Sequence, residues 1–161
     1  MNKRLILNLT GVVLLTESAL MLLTFLVTLL LGEDDHWAML GSFAATAAAG
    51  LLMHLLRPRN ESLKARDGFA VVALSWIMVS CFGALPFYIG GVIPDYIDAL
   101  FESVSGFTTT GATILTDVEA LPRGLLFWRS FTHWAGGMGV LVLSLAIMPR
   151  MGSRSIHLMR A

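Results

Sequence analysis

The sequence predicts an all-α membrane protein with four transmembrane helices, and with one re-entrant pore helix and an extended filter loop between the third and fourth. Three observations lead to this fold class. Hydrophobic residues make up 56% of the 161 residues and charged residues only 14%, and they are gathered into long runs rather than spaced along amphipathic faces. One stretch between two of these runs is neither a polar loop nor long enough for a further crossing.

The composition also excludes several classes of function. The formal net charge is zero, and no Lys/Arg cluster alternates with aromatic residues, so nucleic-acid binding is not expected. Cys81 is the only cysteine, which rules out an internal disulfide. No nucleophile with a paired base and no His-Glu-x-x-His set occurs, so we expect no enzyme activity and no covalent cofactor.

Four apolar runs reach the length of about 20 residues that a bilayer crossing requires. They are Leu5 to Leu31, Trp37 to Leu56, Phe69 to Ile89 and Leu125 to Met148. The first two are joined by a short polar turn and therefore predict a helical hairpin.

The spans divide the chain into four parts. Residues 1–57 form the N-terminal transmembrane hairpin, and residues 58–67 form a cytoplasmic connector in which Pro58 disfavours continuation of the helix. Residues 68–149 contain a unit of helix, pore loop and helix. A second cytoplasmic connector is expected at 150–161.

The distribution of basic residues predicts the orientation in the membrane. Because the positive-inside rule places Lys and Arg in the cytoplasm, both termini are predicted to be cytoplasmic. Nine of the eleven Lys and Arg residues fall on the side of the N-terminus if all four runs span: Lys3, Arg4, Arg57, Arg59, Lys64, Arg66, Arg150, Arg154 and Arg160.

A short helix is predicted between the third and fourth spans. Pro94 suits the first position of a helix, and Asp95 and Asp98 favour its positive N-terminal end. The helix is expected to stop at Ser105 and Gly106, because glycine is a common C-terminal stop. It is too short to cross about 30 Å of hydrocarbon, so it must enter the membrane and turn back.

The segment after this helix, Phe107 to Thr113, is predicted to be extended. Threonine favours extended backbone, and Gly111 allows a positive φ. Extended backbone at membrane depth is tolerated only where it is buried in protein or lines an aqueous path. Rings of backbone carbonyls can replace the hydration shell of a cation, so the segment is interpreted as one wall of an ion-selectivity filter. The alternative is an ordinary Thr/Gly turn.

Two further features invite a prediction about packing. Glu17 lies near the middle of the first span, where an ionisable residue is a functional candidate by default, and we expect it to have a structural role between helices. Small residues at spacings of about one turn allow close helix approach. Gly136, Gly137 and Gly139 are expected to seat the pore helix, and the second span is expected to pack through Gly41, Ala45 and Ala49.

Several motifs together resemble the membrane subunit of the bacterial Trk/Ktr potassium-uptake transporters, of the Trk type. The resemblance covers residues 67–160, and the helical pair before it resembles the hairpin that precedes the pore in Trk-type subunits. The motifs are Arg66-Asp-Gly-Phe69, Phe82-Gly-Ala-Leu-Pro-Phe87, Phe101-Glu-Ser-Val-Ser-Gly-Phe-Thr-Thr-Thr-Gly-Ala-Thr113, Leu126-Phe-Trp-Arg129 and Trp134-Ala-Gly-Gly-Met-Gly139.

The resemblance implies potassium as the transported substrate in a bacterial cytoplasmic membrane. It implies four repeats around one ion path, with Gly111 as the filter glycine of this repeat. Arg129 is implied to brace the pore loop through Glu102, with Ser105 and Gly106 also in support. A cytosolic nucleotide-binding ring subunit is the implied regulatory partner, besides membrane lipid. The backbone carbonyls implied to face potassium are those of Thr109, Thr110, Gly111, Ala112 and Thr113.

The sequence departs from this family in holding a single repeat. Because a filter must surround its ion, one loop cannot select potassium alone. The chain is expected to be the N-terminal part of a longer transporter, whose remaining pore repeats complete the filter. The alternatives are four copies of the chain around a symmetric pore, and a non-conducting membrane module that binds or regulates a full transporter.

Overall fold

The computed structural model describes residues 2–32, 36–56 and 65–158, with side chains for 2–32, 36–56 and 66–141. Every regular element within these ranges is helical. The elements are α1 (Lys3–Leu31), α2 (His36–His54), α3 (Ala65–Gly83), α4 (Leu85–Ile89), α5 (Tyr96–Phe107) and α6 (Arg123–Leu158).

Three helical segments in the described part of the chain are long and apolar enough to cross a membrane. They are Lys3–Leu31, His36–His54 and Arg66–Ile89, and they coincide with the first three predicted spans. The fourth predicted span lies inside α6, and its crossing of the membrane remains a prediction. Most of the first predicted connector lies outside the described residues, whereas the backbone at 150–158 continues α6 as helix.

Helix α1 has a defined cap at each end. The Asn2 side chain accepts a hydrogen bond from the Leu5 amide, and Gly32 ends the helix in the left-handed conformation with φ 67°. Both devices satisfy backbone groups that a helix end leaves without intrahelical partners. The backbone amide of Asn2 also donates a hydrogen bond to the Asp67 carboxylate at 3.3 Å. This bond joins the start of α1 to the start of α3 at one end of the bundle.

The α1–α2 hairpin packs through small residues. A side-chain carbon added at Gly11 would lie 2.7 Å from the Gly50 carbonyl oxygen, so the two backbones approach closely, as small residues permit. The sequence-based choice of residues on α2 was wrong at Gly41, where an added carbon would meet no described atom within 4 Å. Ser42 and Thr46 are instead fully buried on α2, and each hydroxyl bonds a carbonyl of its own helix.

The third predicted span is a helix interrupted near its C-terminal end. α3 ends at Gly83 and the short α4 begins at Leu85, because Pro86 has no amide hydrogen with which to continue the ladder. The Gly83 carbonyl accepts a hydrogen bond from the indole nitrogen of Trp128 in α6 at 3.0 Å. After this interruption, α4 packs against α2 and α5.

The core lies where α1, α3, α5 and α6 meet. Helix α1 packs against α2, α3 and α6, and α5 packs against α3 and α6. Helix α5 is therefore held against the longer helices α3 and α6. The buried apolar side chains of this core include Leu14, Met21, Val79, Phe87, Ala99, Phe107, Leu125 and Trp128.

Candidate pore loop

Helix α5 begins and ends close to the predicted positions, with two corrections. Its N-cap is Asp95, whose carboxylate accepts from the amides of Ile97 and Asp98, so Pro94 precedes the cap instead of occupying the first helical position. Gly106 is not the stop, because the helix continues through Phe107 to a C-cap at Thr108.

Gly106 is required by packing instead. A side-chain carbon there would lie 2.2 Å from Thr132 Oγ1, and one at Gly136 would lie 2.0 Å from the Phe107 carbonyl oxygen. Real side-chain carbons do not approach this closely, so two glycines allow α5 and α6 to touch. The expectation that the glycines of α6 seat the pore helix is met at Gly136, while a carbon at Gly137 would meet only the Thr109 methyl group, at 3.8 Å.

The chain turns sharply after α5 at two left-handed residues. Thr109 has φ 57° and Gly111 has φ 76°. Glycine adopts this conformation freely, whereas a β-branched residue does so only when its surroundings hold it there. We call residues 108–113 the filter loop. The sequence indicated the positive φ of Gly111 and gave no sign of the one at Thr109.

Backbone amides of the filter loop point back at the end of α5. The Thr108 amide donates to the Val104 carbonyl at 2.9 Å, the Thr109 amide to Gly106 at 2.9 Å, and the Thr110 amide to Ser105 at 3.0 Å. These bonds satisfy the terminal carbonyls of the helix. The loop is thereby fixed to α5 through its own backbone.

The carbonyls of the filter loop have a different environment from its amides. Within the described residues, the carbonyls of Thr109, Thr110 and Gly111 accept no hydrogen bond. The loop is also exposed over its whole length, 108–113. A carbonyl without a donor needs water or a cation in its place, so these three groups can coordinate an ion.

Ala112 differs from the three residues before it. Its carbonyl accepts a hydrogen bond from the Ser105 hydroxyl, and Ser105 is 4% exposed. The Ala112 carbonyl, which the resemblance implies to face potassium, is therefore bonded to a side chain of α5. Ser105 lies at the place expected of a supporting residue.

Glu102 joins three parts of the site. The carboxylate is 1% exposed, and one oxygen accepts from the Arg129 guanidinium of α6. The other oxygen accepts from the Thr113 hydroxyl at 2.8 Å and from the Ile114 amide at 3.3 Å. The structure therefore brings together the two residues that the resemblance implied as a brace, and Glu102 contacts the C-terminal end of the filter loop.

Trp128 is a supporting residue that sequence reasoning missed. It is 1% exposed, bonds the Gly83 carbonyl through its indole nitrogen, and meets the Phe107 ring edge-on with centroids 6.5 Å apart. Tryptophan near the end of a membrane span suits the interface, whereas the structure buries Trp128. The indole N–H of a buried tryptophan usually donates a hydrogen bond. A tryptophan within an apolar run therefore indicates that an acceptor lies close by.

The fold defines an all-helical protein whose described part contains three helices long and apolar enough to cross a membrane. Residues 36–161 match the family model described as TrkH, cation transport protein. The chain belongs to this family, which is a family of transporters and not of enzymes.

Individual relatives agree with the family match. The Trk system potassium uptake protein TrkH of Halomonas elongata is 38% identical over 162 residues, covering 99% of this chain and 34% of that protein. The protein of the same name from Escherichia coli strain K12 is 38% identical over 164 residues, covering 100% of this chain and 34% of that protein. The chain thus spans about a third of the length of the curated relatives it matches.

A solved structure shows the same arrangement of helices. The crystal structure of the potassium transporter TrkH from Vibrio parahaemolyticus superposes with a TM-score of 0.86 at 38% sequence identity. The match covers 92% of this chain and 32% of that chain. The all-helical membrane fold expected from the sequence is confirmed at this level.

Proposed function

We propose that this chain supplies one of four walls of a potassium-selective pore that takes up potassium across the bacterial cytoplasmic membrane. One observation carries the proposal. An exposed loop, in which the carbonyls of Thr109, Thr110 and Gly111 accept no hydrogen bond from the described part of the chain, lies directly after the C-terminus of the short helix α5. The names of the relatives give the ion, because they are potassium uptake proteins.

The chemistry of the loop suits a dehydrated cation. Carbonyl oxygens replace the water ligands of potassium as it enters a filter. The amides of residues 108–110 bond the helix end, which leaves the carbonyls as the polar groups available to an ion. The partially negative C-terminus of α5 adds a favourable potential for a cation on the same side.

Three further walls are needed, because a carbonyl ring must enclose its ion. We propose that they come from further pore repeats of a longer transporter, since the relatives are about three times as long as this chain. Four copies of this chain around one axis are an alternative source. A non-conducting module that regulates a full transporter is the second alternative.

The remaining parts of the proposal concern topology and partners. Four crossings, with α5 and the filter loop re-entering from the outside, place both termini in the cytoplasm and satisfy the positive-inside rule. The cytoplasmic side is then the face on which a nucleotide-binding ring subunit would dock. Membrane lipid surrounds the apolar outer faces of α1, α2 and α3.

Complementation of a potassium-uptake-deficient bacterium tests the proposal. The complete native gene should restore growth at low potassium, and the Gly111→Ala variant should restore it poorly despite normal membrane insertion. Failure of the complete gene to restore growth, with the protein present in the membrane, would contradict potassium uptake.

Expression of residues 1–161 alone separates the alternatives. Rescue would favour four copies of the chain and exclude an inert module. Failure with intact insertion would exclude a self-sufficient pore. The genomic sequence beyond the codon for Ala161 then decides between the rest: three more glycine-centred pore loops in frame support the longer transporter.

A further inference from the structure

One buried acid is not used by the proposed filter. Glu17 lies in the middle of α1 and is 3% exposed. Neither of its carboxylate oxygens has a hydrogen-bond partner among the described residues. Burial of an ionised carboxylate without a partner costs several kcal/mol, so the position requires a physical account.

The Glu17 carboxyl group and the side chains of α5 meet at Gly83 of α3. A side-chain carbon added at Gly83 would lie 3.1 Å from Glu17 Oε1, 2.8 Å from the Ser103 hydroxyl and 2.6 Å from the Phe107 ring. Groups from α1 and α5 therefore converge on a single glycine of α3. Ser103 and Phe107 are one helical turn apart, and Phe107 is the residue from which the filter loop departs.

Two hydroxyl groups near Glu17 are also buried without a hydrogen-bond partner. Ser103 is fully buried and Ser75 is 9% exposed, and neither hydroxyl has a partner in the described part of the chain. Glu17 and Ser75, but not Ser103, line an open and mainly apolar cavity of about 650 Å³ that also reaches Phe107 and Gly136. Water held between such groups is the usual way in which buried polar atoms are satisfied.

We infer that Glu17 is a positioning residue: its protonated carboxyl, hydrated from the cavity together with Ser75, lies beside Ser103 at Gly83 and supports the end of α5. The N-terminal hairpin is then part of the machinery that fixes the geometry of the filter loop. The inference rests on the proposed potassium uptake. It assigns Glu17 no contact with the transported ion.

The neutral state follows from the surroundings. Among the described residues, no basic side chain forms an ion pair with Glu17. The salt bridge that the structure shows joins Arg129 to Glu102. The protonated form can donate one hydrogen bond and accept others. A glutamine side chain has the same shape and the same capacity to donate and accept, so Glu17→Gln should retain the support.

The test expresses the complete native gene in uptake-deficient cells. Potassium and sodium uptake are each divided by the amount of transporter in the membrane, and their ratio gives the preference for potassium. Glu17→Leu and Ser103→Ala should each lower this preference about five-fold or more, the effect of one lost net hydrogen bond. Glu17→Gln should stay within about two-fold of wild type. Thr16→Val is the matched control, because Thr16 also lines the cavity but bonds the Val12 carbonyl of its own helix.

Two outcomes would overturn the inference. Wild-type preference in Glu17→Leu would remove the positioning role, and a loss in Glu17→Gln equal to that in Glu17→Leu would show that an ionised carboxylate is required. If Glu17→Leu fails to insert, Ser103→Ala decides, and wild-type preference there also overturns it. Failure of the proposed function is distinguishable, because the wild-type gene would then give no potassium uptake at all.

Discussion

The Glu102 carboxylate pairs with the Arg129 guanidinium through one oxygen and holds Thr113 and Ile114 through the other. α5, α6 and the C-terminal end of the filter loop are thus joined at a single buried group. Because its two oxygens bind different partners, the loss of stability on removing each partner can be measured separately.

Removal of either member of this ion pair should destabilise the protein. Glu102→Gln and Arg129→Gln should each cost about 3 kcal/mol, because each leaves a buried partner without its opposite charge. The double variant should lose less than the sum of the two, as expected for residues in contact. Unfolding of the purified transporter in detergent measures all three, and additive losses would show that the pair is not coupled.

Gly136→Ala should prevent α6 from seating against α5. The added carbon would lie 2.0 Å from the Phe107 carbonyl oxygen, so the end of α5 must shift and both stability and uptake should fall sharply. Gly137→Ala is the matched control one residue along, where the nearest described atom is 3.8 Å away. Equal behaviour of the two variants in thermal unfolding would contradict the close contact.

Gly111→Ala should damage selectivity more than stability. Its φ of 76° costs a side chain about 1–2 kcal/mol, and no described atom would meet the added carbon. Gly91→Ala makes the same change at φ 69°, also in open space but outside the filter loop. Uptake assays with potassium and sodium should distinguish the two, with loss of discrimination only at Gly111. A similar loss in both would indicate a general folding defect.

Ser105→Ala should release the Ala112 carbonyl. The variant loses one hydrogen bond from a buried hydroxyl, about 1 kcal/mol, and should weaken potassium preference because the loop becomes less fixed. Ser130→Ala is the control, since the Ser130 hydroxyl is exposed and bonds the Leu126 carbonyl of its own helix. If potassium preference is unchanged in Ser105→Ala, the bond does not shape the filter loop.

Trp128→Phe should loosen the interruption between α3 and α4. The indole bond to the Gly83 carbonyl is lost, leaving a buried carbonyl unsatisfied at a cost of about 1–3 kcal/mol. Trp134→Phe provides the comparison, because Trp134 is 58% exposed. A lower midpoint of thermal unfolding is expected for Trp128→Phe alone, and an equal fall in both would contradict a specific role for that bond.

Hydrophobic run length and local chemistry were sufficient to predict the first three membrane helices and the start of α5, but not the interruption between α3 and α4 or the helical backbone at 150–158. The apolar runs gave the first three spans because burial in lipid depends mainly on length and polarity. The start of α5 was predictable to within a residue because Asp95 caps it through its own side chain. The resemblance supplied Glu102 and Arg129 as a pair, and the fold places them in contact.

Features that depend on neighbouring elements were not predictable. Gly106 looked like a helix stop, yet its small size is needed by Thr132, which is distant in sequence. Gly41 looked like a packing residue, yet Gly50 makes the close approach to α1. The positive φ of Thr109 is imposed by amide bonds to the end of α5, and nothing in the residue itself favours it.

The most direct test of the filter is crystallography of the complete native transporter grown with rubidium, a potassium substitute located by its anomalous scattering. The account predicts rubidium beside the carbonyls of Thr109, Thr110 and Gly111, in line with the equivalent carbonyls of three further loops. Rubidium sites elsewhere along the ion path, with these three carbonyls bonded to protein groups instead, would contradict it.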